Sequence, residues 1–96
     1  MPRFYFDMRE GVRFTPDRVG LELDSLDAAE QEAARAAAEV SRNQLPKGNA
    51  REVTVEVKNE HGQRVLTVTI AMMVYRVSPE PERPDDEDQS PNPWGA

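Results

Sequence analysis

Hydrophobic positions recur with two different periods along this chain. In residues 25–44, SLDAAEQEAARAAAEVSRNQ, the positions Leu26, Ala29, Ala33, Ala37, Val40 and Gln44 return every three or four residues. That spacing stacks side chains along one stripe of a helix turning every 3.6 residues, so it predicts a helix with this stripe buried. Asp27, Glu30, Gln31, Arg35, Glu39 and Arg42 fall mostly elsewhere and stay hydrated, while Ala34, Ala36 and Ala38 widen the apolar surface without bulk. Asp24 or Ser25 is placed to accept a hydrogen bond from the first free amides, and Asp27, Glu30 and Glu32 put negative charge where the helix dipole favours it. Glu32 with Arg35, and Glu39 with Arg42, are spaced for ion pairs three residues apart. Pro46 and Gly48 end the pattern. Alanine has high helix propensity but little apolar area, so this helix needs a sheet to lie on.

The other period is two. Phe4, Phe6 and Met8 alternate with Tyr5, Asp7 and Arg9, predicting a first strand over residues 3–9. Glu10 and Gly11 then read as a two-residue turn returning residues 12–15 as a short antiparallel partner. Residues 16–20, PDRVG, form a loop, and Leu21 and Leu23 make an extended lead into the helix, their side chains closing one end of the core. Beyond the helix, Val53, Val55 and Val57 alternate with Glu52, Thr54, Glu56 and Lys58 in a strand with one wet face. Asn59, Glu60, His61 and Gly62 supply a turn into residues 64–70, where Leu66, Val68 and Ile70 are in phase.

Clean alternation stops at residues 71–77, AMMVYRV. Two outcomes fit: packing against the helix or the first strand, or a strand that outruns its hairpin partner and leaves an open edge for a second chain. Residues 78–96 bring Pro79, Pro81, Pro84, Pro91 and Pro93 together with Glu80, Glu82, Asp85, Asp86, Glu87 and Asp88. That composition predicts a disordered acidic tail following a domain over residues 1–77. Trp94 is the tail's one large apolar group, either exposed without consequence or an anchor for a partner.

Composition changes this picture in three places. Most of the net charge of −6 sits in the tail, leaving the domain near neutrality, which argues against nonspecific nucleic-acid binding. The absence of cysteine removes a disulfide framework and thiolate chemistry, pointing to a reducing, cytoplasmic setting. The apolar run at residues 70–75 falls far short of the roughly 20 residues that span a bilayer, and the first ten residues, interrupted by Asp7, read as neither signal peptide nor anchor.

Candidate chemistry is sparse. His61 is the single histidine and lies in a polar turn, where adjacent Glu60 fixes no reactive geometry. Ser25 serves the helix start, and Ser41 has no nearby base, so no serine triad forms. Asp17, Glu22 and Asp24 miss calcium-loop spacing, and no phosphate-binding glycine motif occurs. No catalytic, cofactor-binding or metal-ligating residue is therefore assigned. Tyr5, between Arg3 and Arg9, invites comparison with base-stacking sheets, but Phe4 and Phe6 share the face beneath the helix and leave Tyr5 the only aromatic on the other. The candidate interaction residues are Tyr5, Met72, Met73, Tyr75 and Trp94.

The aromatic strand beginning Pro2-Arg3-Phe4-Tyr5-Phe6, the turn at residues 17–20, Leu21-Glu22-Leu23 before an alanine-rich helix, and the hairpin of Val53-Thr54-Val55-Glu56-Val57 with Gly62-Gln63-Arg64-Val65-Leu66 together resemble the DUF6894 family of small bacterial proteins of unknown function. The resemblance covers residues 2–70 and implies a compact bacterial domain, with no catalytic or ligand-binding residue to transfer. The chain departs from that pattern in its continuation through MMVYRV and its acidic tail.

The expected fold is α+β: a small two-layer domain with one alanine-rich helix packed on a short, mostly antiparallel sheet, in the order β-(β)-α-β-β. The first strand and the Val53 strand are expected as parallel neighbours through a helical crossover. The expected role is a noncatalytic protein-interaction or regulatory accessory domain, self-associating through the 71–77 extension or binding another protein. A small enzyme with an unrecognised site and an RNA-binding module on the open sheet face are the alternatives.

Overall fold

The computed structural model describes residues 1–77. The tail expected over residues 78–96, with Trp94, lies outside them. The elements are β1 (Arg3–Glu10), β2 (Arg13–Thr15), β3 (Leu21–Glu22), α1 (Leu26–Gln44), β4 (Glu52–Lys58) and β5 (Arg64–Ala71). They build the expected α+β domain, with a third short strand before the helix. The sheet runs β2-β1-β4-β5, and β3 pairs with the start of β1.

Every strand pairing is antiparallel, which corrects the parallel arrangement expected for β1 and β4. Their register sets Phe6 against Val57, Met8 against Val55 and Glu10 against Val53. The reason lies in the chain before the helix. β2 turns back along the end of β1, pairing Glu10 with Arg13, and β3 continues down to pair Arg3 with Glu22. The chain is thus back beside the start of β1 when α1 begins, and Leu23 N donates to Pro2 O at 3.1 Å. Nineteen helical residues rise about 28 Å, the length of an eight-residue strand, so β4 starts at the far end and runs back down.

The first turn also shifts by one residue. Its two-residue loop is Gly11-Val12, not Glu10-Gly11, since Gly11 takes φ 62°, a left-handed conformation that glycine accepts without a Cβ clash. The β4–β5 hairpin forms as expected. Asn59 Oδ1 accepts from His61 N at 2.9 Å and Gln63 N at 3.0 Å, which is why asparagine opens this turn.

Ser25 caps the helix, its Oγ accepting from Ala28 N at 3.0 Å. Ala29, Ala33 and Ala37 are wholly buried against Val55, Val57 and Phe4, and Ser41 continues the stripe. Leu26, expected in that stripe, is exposed, because burial begins one turn later at Ala29. Val40 and Gln44 are half-buried. The expected pair of Glu39 with Arg42 is replaced by Arg35, which bonds Glu32 and lies 3.5 Å from Glu39. The helix lies chiefly over β4 and β5 and meets β1 through the Phe4 side chain. Leu21, on the far side of β1, is therefore exposed rather than closing the core, whereas Leu23 packs against it.

Candidate interaction site

The helix leaves one sheet face open. Alternation sends Tyr5, Asp7 and Arg9 from β1, Thr54, Glu56 and Lys58 from β4, and Thr67 and Thr69 from β5 to that side. Its charges are paired across strands: Lys58 Nζ lies 2.9 Å from Asp7 Oδ2, and Glu56 sits between Arg9 at 3.5 Å and Arg64 at 3.6 Å. Thr54 and Thr69 share a hydroxyl hydrogen bond of 2.9 Å. Phe14 also reaches this face from β2, with the Arg9 guanidinium 4.6 Å above its ring. Tyr5 is therefore not the only aromatic there. The signal was legible: Phe14 is one residue from Arg13 in a strand whose register follows from the turn.

Two carboxylates pin the loop of residues 16–20 to this face. Between the stretches of β1 that pair with β3 and with β2, Phe6 N has no strand partner on that edge and donates to Asp17 Oδ2 at 3.0 Å. Asp17 Oδ1 accepts from Val19 N at 3.0 Å and Gly20 N at 3.1 Å, and Asp7 Oδ1 accepts from Asp17 N at 2.8 Å. Burial works to raise the Asp17 carboxyl, but the amides of Phe6, Gly20 and Val19 outweigh it and hold the group below its ordinary value. Gly20 completes the lock. A Cβ there would meet Arg3 Cγ and Tyr5 Cε2 at 2.9 Å, and its φ is 78°. Tyr5, Asp7, Asp17, Arg18 and Lys58 line an open groove of about 450 Å³ above this loop. Tyr5 is half-buried against Gly20 and Asp7 is engaged on both oxygens, so the groove has a structural explanation in full.

The two sheet edges differ sharply. On one side the edge is β2, three residues long and opening on Arg13, with the Asp17 loop covering the stretch of β1 between β2 and β3. Short length, charge and covering loops are how edges are kept from pairing with other chains. On the other side β5 presents eight residues, RVLTVTIA, with its single charge at Arg64 and, among the described residues, no strand on its outer edge. Leu66, Val68 and Ile70 face the helix but are only half-buried, whereas Val53, Val55 and Val57 beside them are wholly buried.

Residues 72–77 follow this edge. Met72 N makes one further bond, to Arg51 O at 3.3 Å, after which no ladder continues. The strand thus ends at Ala71 rather than running on, and the residues that follow are exposed. Met72 is 44% exposed, Met73 71% and Tyr75 84%, with Val74 and Val77 equally open. Tyr75 OH donates to Met73 Sδ at 3.3 Å, and the segment borders a depression of about 640 Å³ floored by Leu45, Ala50 and Arg51. Of the candidate residues, Met72, Met73 and Tyr75 gather here, while Tyr5 stands apart on the open face.

Among the described residues, no group of three or more His, Cys, Asp or Glu side chains is placed to hold a metal ion, and no helix is long and apolar enough to cross a membrane. No curated protein and no solved structure matches the chain. A family match does exist, and it spans residues 3–71, which are the first residue of β1 and the last of β5. The β-sheet and its helix are thus the family's unit, residues 72–77 lie beyond it, and the chain belongs to the DUF6894 family, a domain of unknown function.

Proposed function

We propose that this domain is a noncatalytic protein-interaction module, self-association included, that binds through the free edge of β5 and the apolar segment following it. One observation carries the reading: an eight-residue, almost uncharged edge strand ends in five exposed large apolar side chains at Met72, Met73, Val74, Tyr75 and Val77. An edge of this kind offers unpaired backbone groups, and adding a strand to it is a recurrent mode of recognition, with neighbouring side chains supplying selectivity. The resemblance to the family carries the expectation of a bacterial protein, and a chain without cysteine is compatible with a reducing, cytoplasmic setting.

The RNA alternative draws less support from the open face. Stacking modules combine aromatic side chains with cations available to phosphate, but Arg9 and Arg64 share Glu56, Lys58 holds Asp7, and Phe14 is covered by Arg9.

A pull-down under native conditions tests the reading, using the full chain and a chain ending at Val77, each with and without Met73→Glu and Tyr75→Glu. Both side chains are exposed, so circular dichroism should be unchanged while the retained partner, a second copy counted among partners, is lost. Identical retention by the substituted and unsubstituted chains would remove the apolar segment from the function.

A further inference from the structure

We propose that the β5 edge is occupied by the β5 edge of a second copy of this chain, paired antiparallel about a two-fold axis at Val68 that runs perpendicular to the sheet. This rests on the interaction reading above and adds the identity of the partner and the register.

The pleat restricts the choice of register. Opposed residues in an antiparallel pair share a face, and a one-residue slip exchanges the faces. Registers that set a residue against itself keep both helices on one side of a continuous sheet. They also keep Leu66, Val68 and Ile70 of both copies in one apolar layer. Registers one residue away put the helices on opposite sides and bring that row against the threonines. With Val68 on the axis, Leu66 faces Ile70 of the second copy, Thr67 faces Thr69, Val65 faces Ala71 and Arg64 faces Met72. No like charges meet, and Arg64 already leans on Glu56 at 3.6 Å.

The helices fit this arrangement. Each lies over the β4–β5 pair, and a strand spacing of about 4.8 Å would separate the two axes by about 10 Å, close to the ordinary 8–10 Å of packed helices. The half-buried Val68 and Ile70 would then be covered from both sides. Because Met72 lies opposite Arg64, the exposed Met73, Val74 and Tyr75 would run along the second copy's turn at residues 59–63, which gives the apolar segment a surface to bury.

The natural chain has no cysteine, so single thiols report the register directly. Opposed residues have Cα atoms about 4.5–5.5 Å apart, within the range that a disulfide bridges. Light scattering of the full chain across concentration should give the dimer mass. Under mild oxidation Val68→Cys should become a covalent dimer, Thr67→Cys and Thr69→Cys should each stay single, and a mixture of those two should cross-link. Val68→Lys should be monomeric with an unchanged circular dichroism spectrum, and mixing it with Val68→Glu should restore the dimer. A strictly monomeric mass at high concentration overturns the proposal, as does a dimer in which Val68→Cys resists oxidation. If the unsubstituted chain is monomeric but still loses a retained protein on Met73→Glu and Tyr75→Glu, the interaction reading stands and the second copy is excluded.

Discussion

Asp17 does the work of a missing strand residue. Its carboxylate takes the amides of Phe6, Val19 and Gly20 at 3.0, 3.0 and 3.1 Å, one of them on an edge where β1 has no neighbour. Asp17→Ala should cost about 0.5–1.5 kcal/mol in urea unfolding, the usual net contribution of a hydrogen bond, because the donors it leaves are part-buried or exposed and can turn to water. The pH dependence has a definite sign. The folded carboxyl titrates below the ordinary 3.8, so between the two values the unfolded chain binds more protons and stability rises with pH. The contribution is complete above 3.8 and disappears as pH falls through the folded value. The stability gap between the natural chain and Asp17→Asn should therefore narrow on acidification below 3.8, and a gap that stays constant would show that the charge is not what the amides recognise. Nothing in the local sequence marks Asp17 for this role, since PDRVG reads as an ordinary loop. Its partner Phe6 N lies eleven residues away and is left open only because β2 and β3 pair on either side of it.

At the scale of elements, the alanine stripe sets how close α1 comes to the sheet. Ala29, Ala33 and Ala37 have no exposed surface, and Val53, Val55 and Val57 beneath have none either. Interiors at this density respond to added volume by strain. Ala37→Leu should accordingly destabilise by about 1–3 kcal/mol, whereas Ala34→Leu, on the exposed side, should stay within about 0.5 kcal/mol. Paired thermal melts decide this, and equal midpoints for the two would mean that the helix is held at a looser distance. This part of the fold was legible in the sequence, because a period of 3.6 and a period of two each leave their own mark. The pairing of β1 with β4 was not. It depends on where the chain stands when the helix begins, and that was decided by β3, a strand of two residues.

Across the described residues, the informative contrast is between the two edges of the sheet. The β2 side is short, charged and covered by the Asp17 loop, while the β5 side is long, has no described strand beyond it and leads into exposed apolar residues. If the β5 edges of two copies meet, dimerisation stabilises the fold by mass action. The thermal midpoint of the natural chain should then climb with protein concentration, and that of Val68→Lys should not. A midpoint independent of concentration in both would place the chain as a monomer. The sequence by itself determined the helix with a cap at Asp24 or Ser25, the β4–β5 hairpin, the division of β1, β4 and β5 into an apolar and a polar face, and the change of pattern after Ile70. These are local properties, set by side-chain period, turn chemistry and capping. Only the tertiary structure decided the strand order and the antiparallel sense of β1 and β4. It also placed Arg9 over Phe14, locked Asp7 to Asp17, and left Leu26 and Leu21 outside the core. Each of these joins residues distant in the chain, and their meeting depends on the route taken between them. The free β5 edge belongs to the same class, since a strand becomes an edge only when every other strand has taken a place elsewhere.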